Sequence, residues 1–257
     1  MGAVKTRRMP RAVREQQMLD AAVQIFGQRG YMAASMDEIA ELAGVSKPLV
    51  YLYLNSKEDL FTACIRREAT ALTEAVRAGV RPGLPADRQL WEGLRAFFTH
   101  TAEHPDGWTV LHLQARTHGE PFAAEIAAMR TEIVAFVTQL IAVAAREARP
   151  QALGRARAGD DPHDPGLPEC EAAGHDPGLP ECEAAGHDPG LPECEAAGLA
   201  EALVGAAESL AAWANATPGV TARQAAATLM NFAWAGLGNL TESRPWSPPR
   251  RSGSEPH

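Results

Sequence analysis

Between Ser46 and Leu54 the sequence sets a cation, two phenols and apolar surface on one short segment: Lys47, Pro48, Leu49, Tyr51 and Tyr53. Ammonium and phenol groups at this spacing donate hydrogen bonds to phosphate oxygens and base edges, which is the chemistry of recognition. Catalysis would need a clustered nucleophile, base or metal set. The sequence contains no GxSxG, HExxH, phosphate loop or paired CxxC, so it is read as a non-enzyme with no cofactor and no metal.

Such side chains act together only if rigid elements hold them. Ser35 followed by Glu38 forms a capping box, and Met36, Ile39, Ala40 and Ala43 then fall on one helical stripe. Gly44 ends that helix, Val45 follows as a buried plug, and Ser46 caps the next helix, with Pro48 tolerated in its first turn. Val50 and Leu54, four apart, point inward, and Lys47 and Tyr51 are placed on the opposite face with Pro48, Leu49 and Tyr53 close by. Ahead of this pair, Leu19, Ala22, Val23 and Phe26 define a helix from about residue 12 to 28 that stops at Gly30. Behind it, Ser56 with Asp59 opens a fourth helix carrying Leu60, Phe61 and Ile65. Two helices joined by a tight turn, the second polar and aromatic on its outer face, form a helix-turn-helix that fits the major groove of DNA.

Over about residues 12 to 65 the chain resembles the TetR family of transcriptional regulators, through Ile39-Ala40-x-x-Ala43-Gly44-Val45-Ser46, Tyr51-x-Tyr53 and Ser56-Lys57-Glu58-x-Leu60. The resemblance implies that Ser46 to Tyr51 lie in the recognition helix. It further implies that Tyr51, Tyr53 and Lys57 contact phosphates, and that Ser35 makes a contact at the N-terminus of the second helix. The DNA-binding set is thus Ser35, Ser46, Lys47, Pro48, Leu49, Tyr51, Tyr53 and Lys57. Leu54 departs from the pattern, standing where the family usually has phenylalanine; the change touches core packing rather than DNA chemistry.

Charge is distributed in keeping with this. The chain has 24 basic and 32 acidic residues, a net of −8, which excludes a general polyanion binder. Residues 1–57 nonetheless carry a net of +3, leaving −11 for the remainder. Five of the eight basic residues in that region precede Glu15. The basic arm at residues 1–11 either lies along phosphates and the neighbouring minor groove or is a solubilising tail. No continuous apolar run approaches the roughly 18 residues of a spanning helix, and no signal peptide is read. With the resemblance, this gives the expectation of a cytoplasmic protein with no membrane partner.

Beyond residue 65 the pattern is helical and alanine-rich. One helix is predicted over 87–103, broken by His104-Pro105-Asp106-Gly107; a second over 108–118 presents Val110, Leu111 and Leu113; a third runs over 121–146. TetR-like proteins keep a ligand pocket among these helices, and Trp91, Phe98, Trp108 and His112 are the candidate lining, against the bland reading that aromatics at helical spacing are core. HDPGLPECEAAG then occurs three times in tandem, at 163–174, 175–186 and 187–198. Its prolines and glycines give a flexible acidic insertion over 149–198, and three of the four cysteines are one residue copied. A stripe of Leu203, Ala206 or Ala207, Leu210 and Ala214 follows; a capping box at Thr221 and Gln224 opens a last helix with Ala225, Leu229, Phe232 or Ala233, Gly236 and Leu240. The resemblance implies that these two helices form the interface of a homodimer.

The expected architecture is all-α: a flexible arm at 1–11, a three-helix DNA-binding domain at 12–57, a C-terminal helical bundle for ligand binding and dimerisation at 58–148 and 199–242, and a disordered tail at 243–257. The expected function is a regulator, usually a repressor, that binds a palindromic double-stranded DNA operator as a homodimer and is released by an unidentified small molecule. The alternatives are a constitutive DNA-binding dimer without ligand and, more remotely, an all-helical enzyme.

Overall fold

Ser35 Oγ accepts a hydrogen bond from the Asp37 amide at 3.1 Å, and the Ser35 amide donates to Glu38 Oε2 at 3.3 Å. That reciprocal pair starts helix α2, Met36–Leu42. The computed structural model describes residues 10–158 and 193–241, with side chains over 10–144, 146 and 194–233. Helix α1, Arg11–Arg29, precedes α2 and ends where the Gly30 amide bonds the Phe26 carbonyl at 3.0 Å. Gly44 takes φ +65 and turns the chain into α3, Lys47–Leu54. Ser46 occupies the cap position of α3 without a side-chain bond; its carbonyl closes the first turn on the Leu49 and Val50 amides at 2.9 and 3.3 Å. Proline at the second position removes one orphan donor, so backbone closure suffices there. Ser56 caps α4, Lys57–Gly79, by accepting from the Asp59 amide at 2.9 Å.

These four helices share one core. Met18, Leu19, Ala22, Val23 and Phe26 of α1 meet Met36, Ile39 and Ala40 of α2, Val50 and Leu54 of α3, and Leu60 and Phe61 of α4. Val45 is half-buried at the edge of that core, so the plug is partial.

The second body is a bundle of α5, Ala86–Glu103; α6, Pro105–Thr109; a π-turn, Val110–Gln114; α7, Ala115–Thr117; α8, Phe122–Ala158; α9, Glu193–Ala216; and α10, Ala222–Thr241. Helix α5 packs between α4 and α10, and α8 between α4 and α9. Among the described residues there is no strand. The break after α5 is His104 alone, because Pro105 opens α6 as a first-turn proline and Asp106 and Gly107 are helical. The segment 108–118 is not one α-helix. The Ala115 amide bonds the Val110 carbonyl, five residues back, and the wider turn leaves Val110 and Leu111 buried while Leu113 is exposed.

The 149–198 insertion is corrected at both ends. Helix α8 continues through residue 158, and α9 begins at Glu193, inside the third repeat copy. Leu199 to Leu203 supply strong helix formers directly after Gly198, and Ala196 and Ala200 are fully buried, which offsets the roughly 1 kcal/mol cost of an interior glycine. Residues 159–192, the arm at 1–9 and the tail at 243–257 lie outside the described residues, as do the side chains of Gly236 and Leu240 in the last helical stripe.

The capping box of α10 forms, the Thr221 amide donating to Gln224 Oε1 at 2.9 Å and the Gln224 amide to Thr221 Oγ1 at 3.2 Å. Ala225 and Leu229 are buried, Ala233 packs against the core, and Phe232 points outward at 75% exposure, as does Trp213 of α9 at 52%. In α8, Phe122–Ala144 has mean hydropathy 1.6, long and apolar enough by length and composition to cross a membrane. Three charges interrupt that apolar stretch, and each is paired within the bundle: Glu125 with Arg66, Glu132 with Arg77, and Arg130 with Glu201 and Glu208.

Candidate nucleic-acid interface and its connection to the helical domain

Helix α3 fixes the outer surface by burying Val50 and Leu54. At about 100° per residue, the position directly opposite the midpoint of those two is Leu52. It is 74% exposed, whereas Tyr51 is 40% exposed and Tyr53 half-buried. The outward face is therefore centred on Leu52, with Pro48 and Leu49 beside it and Tyr51 on its flank, while Lys47, the first residue of α3, falls on the Leu54 side and turns toward Asp37 of α2. Leu52, at the centre of that face, is absent from the set read from the sequence, although the spacing of Val50 and Leu54 already located it.

Each polar member of the set has a defined seat. Lys47 Nζ pairs with Asp37 Oδ2 at 2.8 Å, and the bond to Asp37 raises its pKa. Both side chains are largely exposed, so solvent screens the pair and it holds the Lys47 ammonium only weakly. Tyr53 carries the Arg11 guanidinium 4.9 Å from its ring centroid, which sets the start of α1 beside α3. Lys57 Nζ donates to the Met32 carbonyl at 3.2 Å and lies 4.9 Å from the Tyr31 ring centroid, and burial lowers its pKa. Ser35 is engaged as the cap of α2, and Ser46 is exposed at the mouth of α3. Helix α3 thus projects Pro48, Leu49 and Leu52 outward with Tyr51 at their side, Lys47 stands at its N-terminus against α2, and Lys57 lies at the start of α4.

Sequence reasoning gave no sign of how this surface joins the bundle. Helix α1 meets α6 so closely that a Cβ at Gly27 would lie 2.8 Å from Asp106 backbone atoms, and Gln28 Nε2 donates to Asp106 Oδ2 at 3.2 Å. A Cβ at Gly107 would collide with the carboxylate of Glu68, which is buried and paired with Arg67 at 2.7 Å. Tyr31 stands at the centre of the joint. Its ring lies 4.7 Å from Phe61, 5.2 Å from Phe122 and 5.2 Å from His118, and its amide donates to Gln114 Oε1 at 3.2 Å.

Of the candidate pocket residues, the structure brings together Phe98, Trp108 and His112. Trp108 is edge-on to Phe97 at 5.7 Å, Phe97 edge-on to Phe98 at 5.1 Å, and His112 stacks flat on Trp108 at 4.9 Å. Phe98 and Trp108 are buried in the core. Trp91 faces α10 instead, with the Arg223 guanidinium 6.0 Å from its ring. Next to His112 runs a charged cluster in which Arg116 pairs with Glu208 at 2.8 Å, and Arg130 joins Glu208 and Glu201.

Burial, and then Arg116, lowers the pKa of His112 below its ordinary 6.5, with Glu208 opposing. His100 is lowered by burial and by His104, against Glu68 and Glu103. Both imidazoles are neutral in the folded chain at a pH where the unfolded chain takes up protons. The unfolded state then binds more protons, so stability is level above about pH 7 and falls as pH drops through about 6.5. The melting temperature is expected to fall from about pH 7 to pH 5.5, and to fall less in His112→Phe; identical losses in both proteins would remove His112 from this titration.

Comparison with known proteins places this geometry. A family model described as "Bacterial regulatory proteins, tetR family" matches residues 18–64, and one described as "Tetracyclin repressor-like, C-terminal domain" matches residues 86–158. The HTH-type transcriptional activator FasR of Mycolicibacterium smegmatis is 38% identical over 104 residues, 40% of this chain and 48% of FasR. The regulator BetI of Rhizobium meliloti is 40% identical over 77 residues, 30% of this chain and 38% of BetI. These matches therefore take in about half or less of the curated relatives' length. A solved TetR-like transcriptional regulator from Rhodococcus sp. RHA1 superposes with a TM-score of 0.63 at 31% identity, covering 90% of this chain and 99% of that one. FadR of Bacillus subtilis, solved in complex with stearoyl-CoA, shares the fold with a TM-score of 0.58 at 15% identity, covering 85% of this chain and 96% of that one.

Proposed function

The chain belongs to the TetR family of transcriptional regulators, and from that premise we propose that it binds a palindromic DNA operator as a homodimer, represses transcription there, and is released by a small molecule held in its helical domain. The observation that carries the reading is the projecting face of α3, where exposed Leu52 stands between Pro48 and Leu49 with Tyr51 at its side and Lys47 at the mouth of the helix, on a buried three-helix base. Two such faces, about 34 Å apart in a symmetric dimer, fit successive major grooves. Arg11, held against the Tyr53 ring, adds a cation beside α3.

The dimer reading rests on the outer face of α9 and α10. Ala202, Ser209, Trp213 and Ala216 recur at helical spacing on α9, and Phe232 projects from α10. Small residues let helix axes approach, and a self-complementary patch of this type suits a two-fold interface. The effector reading rests on Trp108 and His112 beside the Arg116–Glu208 pair, a mostly apolar setting with a few polar groups. Cytoplasmic location follows from action on DNA.

Lys57 tests the DNA reading. Lys57→Ala is expected to weaken binding to all duplexes alike and to reduce the slope of log K against log salt by about one per subunit. Affinity measured from low to high salt gives that slope, and an unchanged slope would remove Lys57 from the phosphate contacts. Activation is the second reading, favoured by the similarity to FasR, which is an activator. A reporter gene downstream of the selected operator separates the two: repression raises output when this protein is deleted, and activation lowers it.

A further inference from the structure

Gln114 and His112 are two residues apart on the π-turn yet engage different bodies of the molecule. Gln114 Oε1 accepts from the Tyr31 amide at 3.2 Å, where the chain leaves α1, and a Cβ at Gly30 would stand 3.1 Å from the same oxygen. The Gln114 carbonyl accepts from Thr117 Oγ1 at 3.0 Å and meets His118 Nδ1 at 2.6 Å, so the end of the turn is held from both sides. His112 turns to the bundle, stacked on Trp108, and its Nδ1 is buried with no hydrogen-bond partner among the described residues.

A buried polar atom left unpaired is uncommon and costly, and π-turns are rare one-residue changes of helical register that recur at functional sites. Here both occur within five residues, at the joint between the DNA-reading helices and the bundle. On the far side of that joint the Tyr31 ring seats the Lys57 ammonium at 4.9 Å. A path of contacts thus runs from His112 through the turn to Gln114, Tyr31 and Lys57.

We propose that residues 110–114 are a two-register coupling element: the π register seats Gln114 on the Tyr31 amide, and return to α register, favoured when a polar group partners His112 Nδ1, lifts it off. The identity of that partner as an effector rests on the function proposed above; the coupling of the two side chains belongs to the unliganded chain. The chemistry complementary to these side chains is an apolar body bearing one neutral hydrogen-bonding group, a hydroxyl or amide. Trp108 and Phe97 supply apolar surface, and Arg116 and Arg130 are already neutralised by Glu208 and Glu201. Withdrawal of Gln114 frees Tyr31 and unseats Lys57, which loosens the end of α1 and the start of α4 together.

Hydrogen exchange resolved at the Tyr31 amide, on the full chain without DNA or effector, tests this. Gln114→Ala is expected to speed exchange about fivefold, the loss of one ordinary hydrogen bond, while Gln114→Glu, which still offers a carboxylate acceptor, retains protection. His112→Phe keeps the stack on Trp108 and removes the nitrogen that is unpaired in the π register and can be paired only in the α register; the variant therefore favours the π register, and Tyr31 exchange slows. In His112→Phe with Gln114→Ala that slowing disappears, because the clasp it acts through is gone. Three results would overturn the proposal: His112→Phe leaving Tyr31 exchange unchanged, the two substitutions combining additively, or Gln114→Ala speeding amides throughout α9 and α10 as much as Tyr31. Since neither DNA nor effector is present, none of these outcomes depends on the regulatory reading. A chain with the coupling but no effector response would sink that reading alone.

Discussion

Phe61→Ala is expected to lower the stability of the folded chain by about 3–5 kcal/mol, the usual range for removing a fully buried aromatic side chain. Phe61 has no exposed surface, and its ring meets Phe26 at 4.8 Å, Tyr31 at 4.7 Å and Phe122 at 4.8 Å. Those partners belong to α1, the α1–α2 connection and α8, so one ring ties the DNA-reading helices to the bundle. The cavity left behind opens at the joint between the two bodies. Tyr31 also loses its packing there, and with it the seat of Lys57. Urea unfolding followed by far-ultraviolet circular dichroism measures the loss as a shift in midpoint at constant slope. Leu113→Ala, a similar deletion at an exposed site of the π-turn, is expected to change stability by no more than about 0.5 kcal/mol. Comparable losses in the two variants would mean that the Phe61 cluster is not the joint.

Leu52→Glu is expected to reduce DNA affinity by at least about thirtyfold while leaving stability within about 0.5 kcal/mol. The side chain is 74% exposed, so little core packing is at stake. Glutamate and leucine have similar helix propensities, so α3 survives the exchange. In the groove, however, a carboxylate replaces apolar surface and faces the phosphate charge that dominates protein–DNA affinity. The separation of the two effects is the informative part. A loss of affinity with an unchanged melting temperature assigns Leu52 to the contact surface; unchanged affinity would move the contact surface off this face of α3.

The helix starts were legible because their signals are local. Ser35 with Glu38, Ser56 with Asp59 and Thr221 with Gln224 each need only three residues of context, and all three caps form. Gly30 and Gly44 stop their helices for the same reason. Ser46 shows the limit of such signals, since its cap position is filled by backbone closure alone. The outer face of α3 was misjudged by rotation: Lys47 and Tyr51 share a side, but the side opposite Val50 and Leu54 belongs to Leu52.

Features set by distant contacts left no trace in the spacing. In the π-turn the Ala115 amide reaches back to Val110 where an α-helix would use Leu111, and residues 108–118 carry no local mark of that shift. The pairs Lys47–Asp37, Tyr31–Gln114 and Gln28–Asp106 join positions that no periodicity relates. Phe98, Trp108 and His112 do lie together, while Trp91, on the same helix as Phe98, turns to α10. The third repeat copy makes the point most sharply. Composition reads ECEAAG as flexible, yet at 193–198 it is the first turn and a half of α9, because the residues that follow continue the helix and Ala196 finds a buried seat.

Selection of binding sites from a pool of random DNA duplexes, run in parallel with the full chain and its Leu52→Glu variant, tests the central claim most directly. The account predicts enrichment by the native chain of a two-fold symmetric sequence whose half-sites lie about 34–36 Å apart or a multiple of that, and no enrichment by the variant. Recovery of no common sequence by the native chain, or of the same sequence by both proteins, would contradict it.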